Sequence, residues 1–168
     1  LKERFVHALN KYANGALVMQ ESLPVELYLN GVYWGFYELM SAKGSAFWAA
    51  LHGAGDLDIL TGPSGAVRKG DRSSYEALLE LANDPRLSTG ALHEEIAAVV
   101  DLDNFIDYWV FEVFTAKLDN STNLRYSRPR QQDGRWRWIT YDMDLWGEPN
   151  DHTLARVLDP KDLHEYPL

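Results

Sequence analysis

Four residues in the C-terminal half carry oxygen-bearing side chains at spacings that suit cation chemistry. They are Asp119 and Asn123 in "KLDNSTN" (117–123), and Asp142 and Asp144 in "YDMD" (141–144). Hard cations such as Mg²⁺ are held by carboxylate and amide oxygens, and Mg²⁺ typically takes one or two protein carboxylates together with water or phosphate oxygens. The segment between the two clusters reads as a hairpin. "NLRYSR" (123–128) and "RWRWITY" (135–141) are strand-like, and Asp133-Gly134 between them is a turn signal. One strand leaves the first loop and the other returns to the second, so both loops fall at the same edge of the domain. Local connectivity alone therefore predicts that the oxygen ligands converge.

Composition narrows the alternatives. The chain has no Cys, which excludes disulfides, thiolate nucleophiles and Cys-based zinc sites. The His residues are scattered, with no pair at the spacing of a metal-binding helix. Lys and Arg number 16 against 25 Asp and Glu, for a net charge of −9. That balance argues against duplex nucleic acid, whose phosphates need a basic footprint; it fits cation binding, and it equally fits plain solubility. No apolar run is long enough to span a membrane. The opening "LKERFVHALNKYANG" shows no signal-peptide pattern and no initiator Met, and is helix-like from its first residue. We expect a piece of a longer protein, with 1–168 forming one domain.

The elements that must position the clusters follow from periodicity. Leu1, Phe5, Leu9 and Tyr12 predict a helix over 1–12. Two aromatic-rich runs around Asn30-Gly31 predict strands at 24–29 and 32–39 joined by a type I′ turn. A short helix is expected at 44–53 and a strand at 56–62. "PSGAVRKGDRSS" reads as a loop, Ser73 or Ser74 as the cap of a helix through 75–83, and Thr89 as the cap of another over 90–100. In "GDRSSY" (70–75) helix-terminal amides could face a phosphate, although a simply capped helix is the commoner case. Asp101 opens the strongest helix. Its apolar residues Leu102, Phe105, Ile106, Trp109, Val110, Val113 and Phe114 predict a broad core-facing stripe, ending near Leu118. Alternation places Trp136 and Trp138 together on a packing face, and Arg135 and Arg137 on the other. His52, His93, His152 and His164 read as surface residues. Helices and strands mix without regular βαβ alternation, which predicts an α+β fold.

A helix, a loop with Asp and Asn, a hairpin, then an Asp followed by a Gly is the order found in the catalytic region of protein kinases. On that order Asp119 would be the base toward the acceptor hydroxyl. Asn123 and Asp142 would hold the metal that bridges nucleotide phosphates, Asp144 would support a second ion or the first ligands, and Gly147 would relax the backbone behind them. The kinase triplets HRD and DFG are absent.

Four segments, "PVELYLNGVYWGFYEL", "DLDNFIDYWVFEVF", "LDNSTNLRYSR" and "RWRWITYDMDLWG", resemble in that order the CotH family of spore-coat and surface-protein kinases. The resemblance runs from about residue 24 to 147, with weaker support to Leu158. It implies a divergent, partial protein-kinase-like fold: the β-hairpin of a small lobe plus a helical lobe with a catalytic-loop hairpin. It also implies phosphorylation of Ser or Thr in a protein substrate, dependent on ATP and on Mg²⁺ or Mn²⁺, and an extracellular, cell-surface or spore-surface location. Asp119 matches the catalytic Asp, and Asn123 and Asp142 the metal ligands. Departures are Ser41, where relatives carry Glu; Tyr141, where Trp is common; and a loop from Asp119 to Asn123 about one residue short. Glu38 is near Ser41 but on the other periodicity of its strand. Lys43, Arg68 and Lys69 are the basic candidates for the wall of the cleft. The alternative functions are a pseudokinase on the same fold and an extracellular cation-binding module.

Overall fold

The structure is a computed structural model, and it describes residues 2–13, 17–53, 55–119, 122–145, 147 and 150–159. Helix α1 (Lys2–Tyr12) precedes a hairpin of β1 (Ser22–Leu29) and β2 (Val32–Met40). Asn30 and Gly31 both have positive φ, 51° and 80°, as a type I′ turn requires. Helix α2 (Ser45–His52) leads to β3 (Leu57–Thr61), β4 (Ala66–Lys69) and α3 (Ser73–Ala82). A 3₁₀ turn (Pro85–Thr89), α4 (His93–Val99) and α5 (Leu102–Phe114) follow. Next come β5 (Arg125–Pro129), β6 (Arg137–Trp138) and α6 (Thr153–Val157). The strands form two antiparallel sheets, β1-β2 and β4-β3-β5-β6. The fold is α+β, as expected.

Several local expectations are corrected. The segment read wholly as a loop contains β4, an edge strand paired with β3; with every residue of β4 exposed, no apolar alternation marked it. Neither Ser73 nor Ser74 caps α3. The Asp71 carboxylate does so from outside, accepting from the Ser73 backbone N–H at 3.0 Å and the Ser73 hydroxyl at 2.6 Å. With that carboxylate in place, and Arg130 paired to it, the α3 terminus offers no cradle for a phosphate. Thr89 ends the 3₁₀ turn instead of capping α4.

The main core lies between the four-stranded sheet and α3 and α5. It gathers Leu60, Tyr75, Leu78, Tyr108, Tyr126, Trp136 and Trp138. Trp136 and Trp138 share this face, as alternation predicted, and Tyr126 stacks on Trp138 at 5.6 Å. Arg137, on the opposite face, pairs with Asp101 at 2.8 Å. Asp101 also caps α5 by accepting from the Asn104 N–H.

Helix α5 is rotated from the predicted orientation and ends at Phe114, earlier than expected. Leu102, Phe105 and Trp109 of the predicted stripe pack against the core, but the buried residues are Asn104, Tyr108, Phe111 and Glu112, while Ile106, Val110 and Phe114 are exposed. The rotation has a polar cause. Asn104 Nδ2 donates to the Trp138 carbonyl at 3.1 Å, and Asn104 Oδ1 accepts from the Trp138 N–H at 2.6 Å. One amide side chain thus satisfies both backbone groups of a residue at the free edge of β6, a need that an apolar stripe cannot meet.

Candidate functional site

The site is built where α5 ends and the β5-β6 hairpin returns. Thr115 closes α5, its hydroxyl donating to the Phe111 carbonyl at 2.9 Å. Ala116, with φ of 49°, turns the chain sharply. Asp119 then sits at a tight turn: its carbonyl accepts from the backbone N–H of Thr122 and of Asn123, both at 3.0 Å. On the returning side, the Ile139 N–H donates to the Arg125 carbonyl at 2.9 Å and holds the hairpin register. Asp142 itself adopts a left-handed conformation, φ 57°. That conformation is uncommon for a residue with a Cβ, though Asp and Asn tolerate it best.

Among the described residues, three bonds to backbone carbonyls sew the two loops together. The Leu118 N–H donates to the Leu145 carbonyl at 3.2 Å, the Gly147 N–H donates to the Ala116 carbonyl, and Lys117 Nζ donates to the Tyr141 carbonyl at 3.0 Å. Gly147 is required by this close approach, since a Cβ there would stand 2.6 Å from the Ala116 oxygen.

Three of the four predicted residues meet. Asn123 Nδ2 donates to Asp142 Oδ2 at 2.8 Å and also to Asp119 Oδ2. A single amide group therefore stands between two carboxylates that would otherwise repel one another. Asp142 is exposed, and Asp119 and Asn123 are half-buried. Asp119 Oδ1 is buried with no hydrogen-bond partner among the described residues. Asp144 does not join the group: it is exposed, and no hydrogen bond links it to the other three.

Sequence reasoning named Lys43 but missed Lys117, Arg125 and the buried acid around this group. The Tyr141 ring, one residue before Asp142, has Lys43 Nζ at 4.4 Å, the Arg125 guanidinium at 5.0 Å and Lys117 Nζ at 5.6 Å from its centre. Burial raises the Tyr141 phenol above its ordinary pKa, and Arg125 opposes that shift. Lys117 is fully buried, 3.4 Å from the equally buried Glu112. Burial lifts the Glu112 carboxyl to a pKa of about 7 against the pull of Lys117, with Asp119 pushing in the same direction as burial. The available signal was a Glu amid the apolar residues of "VFEVF", five positions before a Lys.

Of the three basic candidates read from the sequence, Lys43 and Lys69 line one cavity of about 430 Å³ with Trp48, Ala49, Leu57 and Ile59. Arg68, adjacent along β4, does not line it. The Ser41 hydroxyl accepts from the Glu21 N–H at 3.2 Å, and the nearby Glu38 pairs with Arg4 at 2.9 Å. His52 is not the surface residue expected. It is half-buried, 2.8 Å from the Ser127 hydroxyl, and burial together with Arg137 lowers its pKa to about 4. His93 and His152 are exposed, and His164 lies outside the described residues.

Among the described residues, no three His, Cys, Asp or Glu side chains group closely enough to hold a metal ion. Asp142 and Asn123 offer one carboxylate and one amide as candidate cation ligands, the modest protein share that Mg²⁺ takes when phosphate oxygens complete its shell. The unpartnered Asp119 oxygen and the exposed Asp142 carboxylate fit a cation-bearing ligand at this point. Among the described residues, no helix is long and apolar enough to cross a membrane.

Neither curated proteins nor solved structures give a match to the chain. The CotH family, described as CotH kinase protein, matches residues 53–165. That range contains α5, the hairpin and all four predicted site residues, and it begins after the β1-β2 hairpin. The match covers more than half of the chain and includes the carboxylate–amide cluster, and on this ground the chain belongs to the CotH family.

Proposed function

We propose that this chain is the core of a divergent protein-kinase-like phosphotransferase that moves the terminal phosphoryl group of ATP to a Ser or Thr hydroxyl of a protein. The observation that carries this reading is the Asn123 amide joined to both Asp119 and Asp142. Asn123 and Asp142 would hold Mg²⁺ or Mn²⁺, which when bound supplies positive charge to the phosphate oxygens. Asp119 orients the acceptor hydroxyl and takes its proton as the hydroxyl oxygen attacks the terminal phosphorus and ADP leaves. Most of the rate enhancement then comes from positioning and charge stabilisation. Asp144 stands outside the cluster and has only a supporting part in this scheme. The family's link to spore coats favours an extracellular or surface location for the reaction.

The resemblance, with Glu expected where Ser41 stands, favours a nucleotide-binding pseudokinase as the second reading. Glu38, the acid nearest Ser41 in sequence, is engaged by Arg4.

Metal dependence tests the proposal. Calorimetric titration with ATP is expected to show binding in Mg²⁺ or Mn²⁺ and none in excess EDTA. Binding of equal strength in EDTA would contradict the assignment of Asn123 and Asp142.

A further inference from the structure

The guanidinium of Arg125 is the feature of this region that the scheme above does not use. Arg125 opens β5, two residues after Asn123, and lies 5.0 Å from the centre of the Tyr141 ring. Its Nε is buried and has no hydrogen-bond partner among the described residues. No carboxylate among them forms an ion pair with it, although the chain carries 25 acidic residues against 16 basic ones. A buried guanidinium donor without an acceptor is costly, and such groups are normally paired.

The other cations at the ring are committed differently. Lys117 is fully buried and holds Glu112 and the Tyr141 carbonyl. Lys43 donates to Gln20 Oε1 at 2.6 Å and also lines the cavity beside Trp48 and Leu57. Arg125 is thus a half-buried cation, on the Tyr141 ring, next to the residues assigned to the metal.

We propose that Arg125 is a phosphate-binding residue of this site, its planar fork taking phosphate oxygens of the nucleoside triphosphate while Tyr141 holds the guanidinium in place. The inference rests on the phosphotransferase reading above. The ligand class follows from chemistry. A guanidinium presents several N–H donors in a fixed plane, which matches phosphate oxygens in a bidentate way and is less heavily hydrated than an ammonium. Metal held by Asn123 and Asp142 neutralises one side of a polyphosphate, and a cation at Tyr141 is placed to neutralise another.

Two titrations on wild type, Arg125→Gln and Arg125→Lys test this. The first follows Mn²⁺ alone by its paramagnetic resonance signal. The second follows Mn²⁺ with adenosine, ADP or ATP by calorimetry. The expected result is an affinity in the wild type that rises with the number of phosphates. Arg125→Gln should weaken MnATP about ten- to a hundredfold, the cost of a lost bond to a charged group. It should leave Mn²⁺ alone and the melting temperature unchanged, and Arg125→Lys should recover part of the loss. Unchanged MnATP affinity in Arg125→Gln overturns this assignment and leaves the phosphotransferase reading standing. An equal loss of Mn²⁺ itself also overturns it, by showing that Arg125 only supports the fold of the metal loop. Failure of the wild type to bind MnATP overturns the phosphotransferase reading and this inference with it.

Discussion

Asp119→Asn is expected to lower phosphoryl transfer by about 10²–10⁴-fold, the usual contribution of a positioned general base, while MnATP still binds. The substitution keeps the shape of the side chain and its place at the turn made by the Asp119 carbonyl with Thr122 and Asn123. It removes the negative charge that would accept the hydroxyl proton. It also removes one of the two carboxylates flanking the Asn123 amide, but not the one assigned with Asn123 to the metal. Turnover and nucleotide affinity should therefore separate. The check is a transfer assay with a Ser- and Thr-containing protein acceptor, run beside a binding titration. A parallel loss of both would make Asp119 a metal ligand in its own right. Full transfer by Asp119→Asn would remove it from the mechanism.

Lys117→Met is expected to be the most destabilising single change at the site. Lys117 and Glu112 are both fully buried, and Lys117 also donates to the Tyr141 carbonyl. Where Glu112 is ionised, above about pH 7, removing one partner strands the other's charge, which typically costs about 3–5 kcal/mol. In a chain of this length that lowers the melting temperature by roughly 6–20 °C. The loss should also relax the Tyr141–Asp142 segment, because the third bond sewing the two loops is gone.

The pair has a pH signature. Glu112 titrates near 7 in the folded protein, mainly through burial, against an ordinary value of 4.5. Folding therefore favours the protonated form, and the contribution of Glu112 is fully present below about pH 4.5 and lost as pH rises through 7. In Lys117→Met the main opposition to burial is lost and the Tyr108 hydrogen bond is left to act alone, so the fall in stability extends to higher pH. The double change Lys117→Met with Glu112→Gln removes the stranded carboxyl and should recover part of the lost stability. Thermal melts across pH 5–9 check both points; a single variant that melts like the wild type would mean the pair carries little.

How the site could be read from sequence follows from how local its construction is. Asp119, Asn123 and Asp142 were legible because a hairpin brings its own two ends together, and Tyr126↔Trp138 pairing does this with only a short ladder. Asp144, two residues beyond a left-handed Asp142, is exposed and has no hydrogen bond to the other three among the described residues. The rotation of α5 was not legible, because Asn104 reads as a polar surface residue until the free edge of β6 is known to lie against it. Lys117 and Arg125 flank the Asp119–Asn123 loop and Lys43 comes from far earlier in the chain, and their meeting at the Tyr141 ring carries no spacing signal. The edge strand β4 was missed for the related reason that it is exposed throughout.

The most direct test of the central claim is a thermal-shift titration of wild type and Asp142→Asn with MnATP. A ligand that binds only the folded state stabilises it by about 2.7 kcal/mol at a hundred times its Kd, or roughly 5–10 °C for a chain of this size. That rise is expected in the wild type and is lost in Asp142→Asn, with both proteins melting alike in the absence of ligand. An unmoved wild type, or an equal rise in the variant, would contradict the central claim.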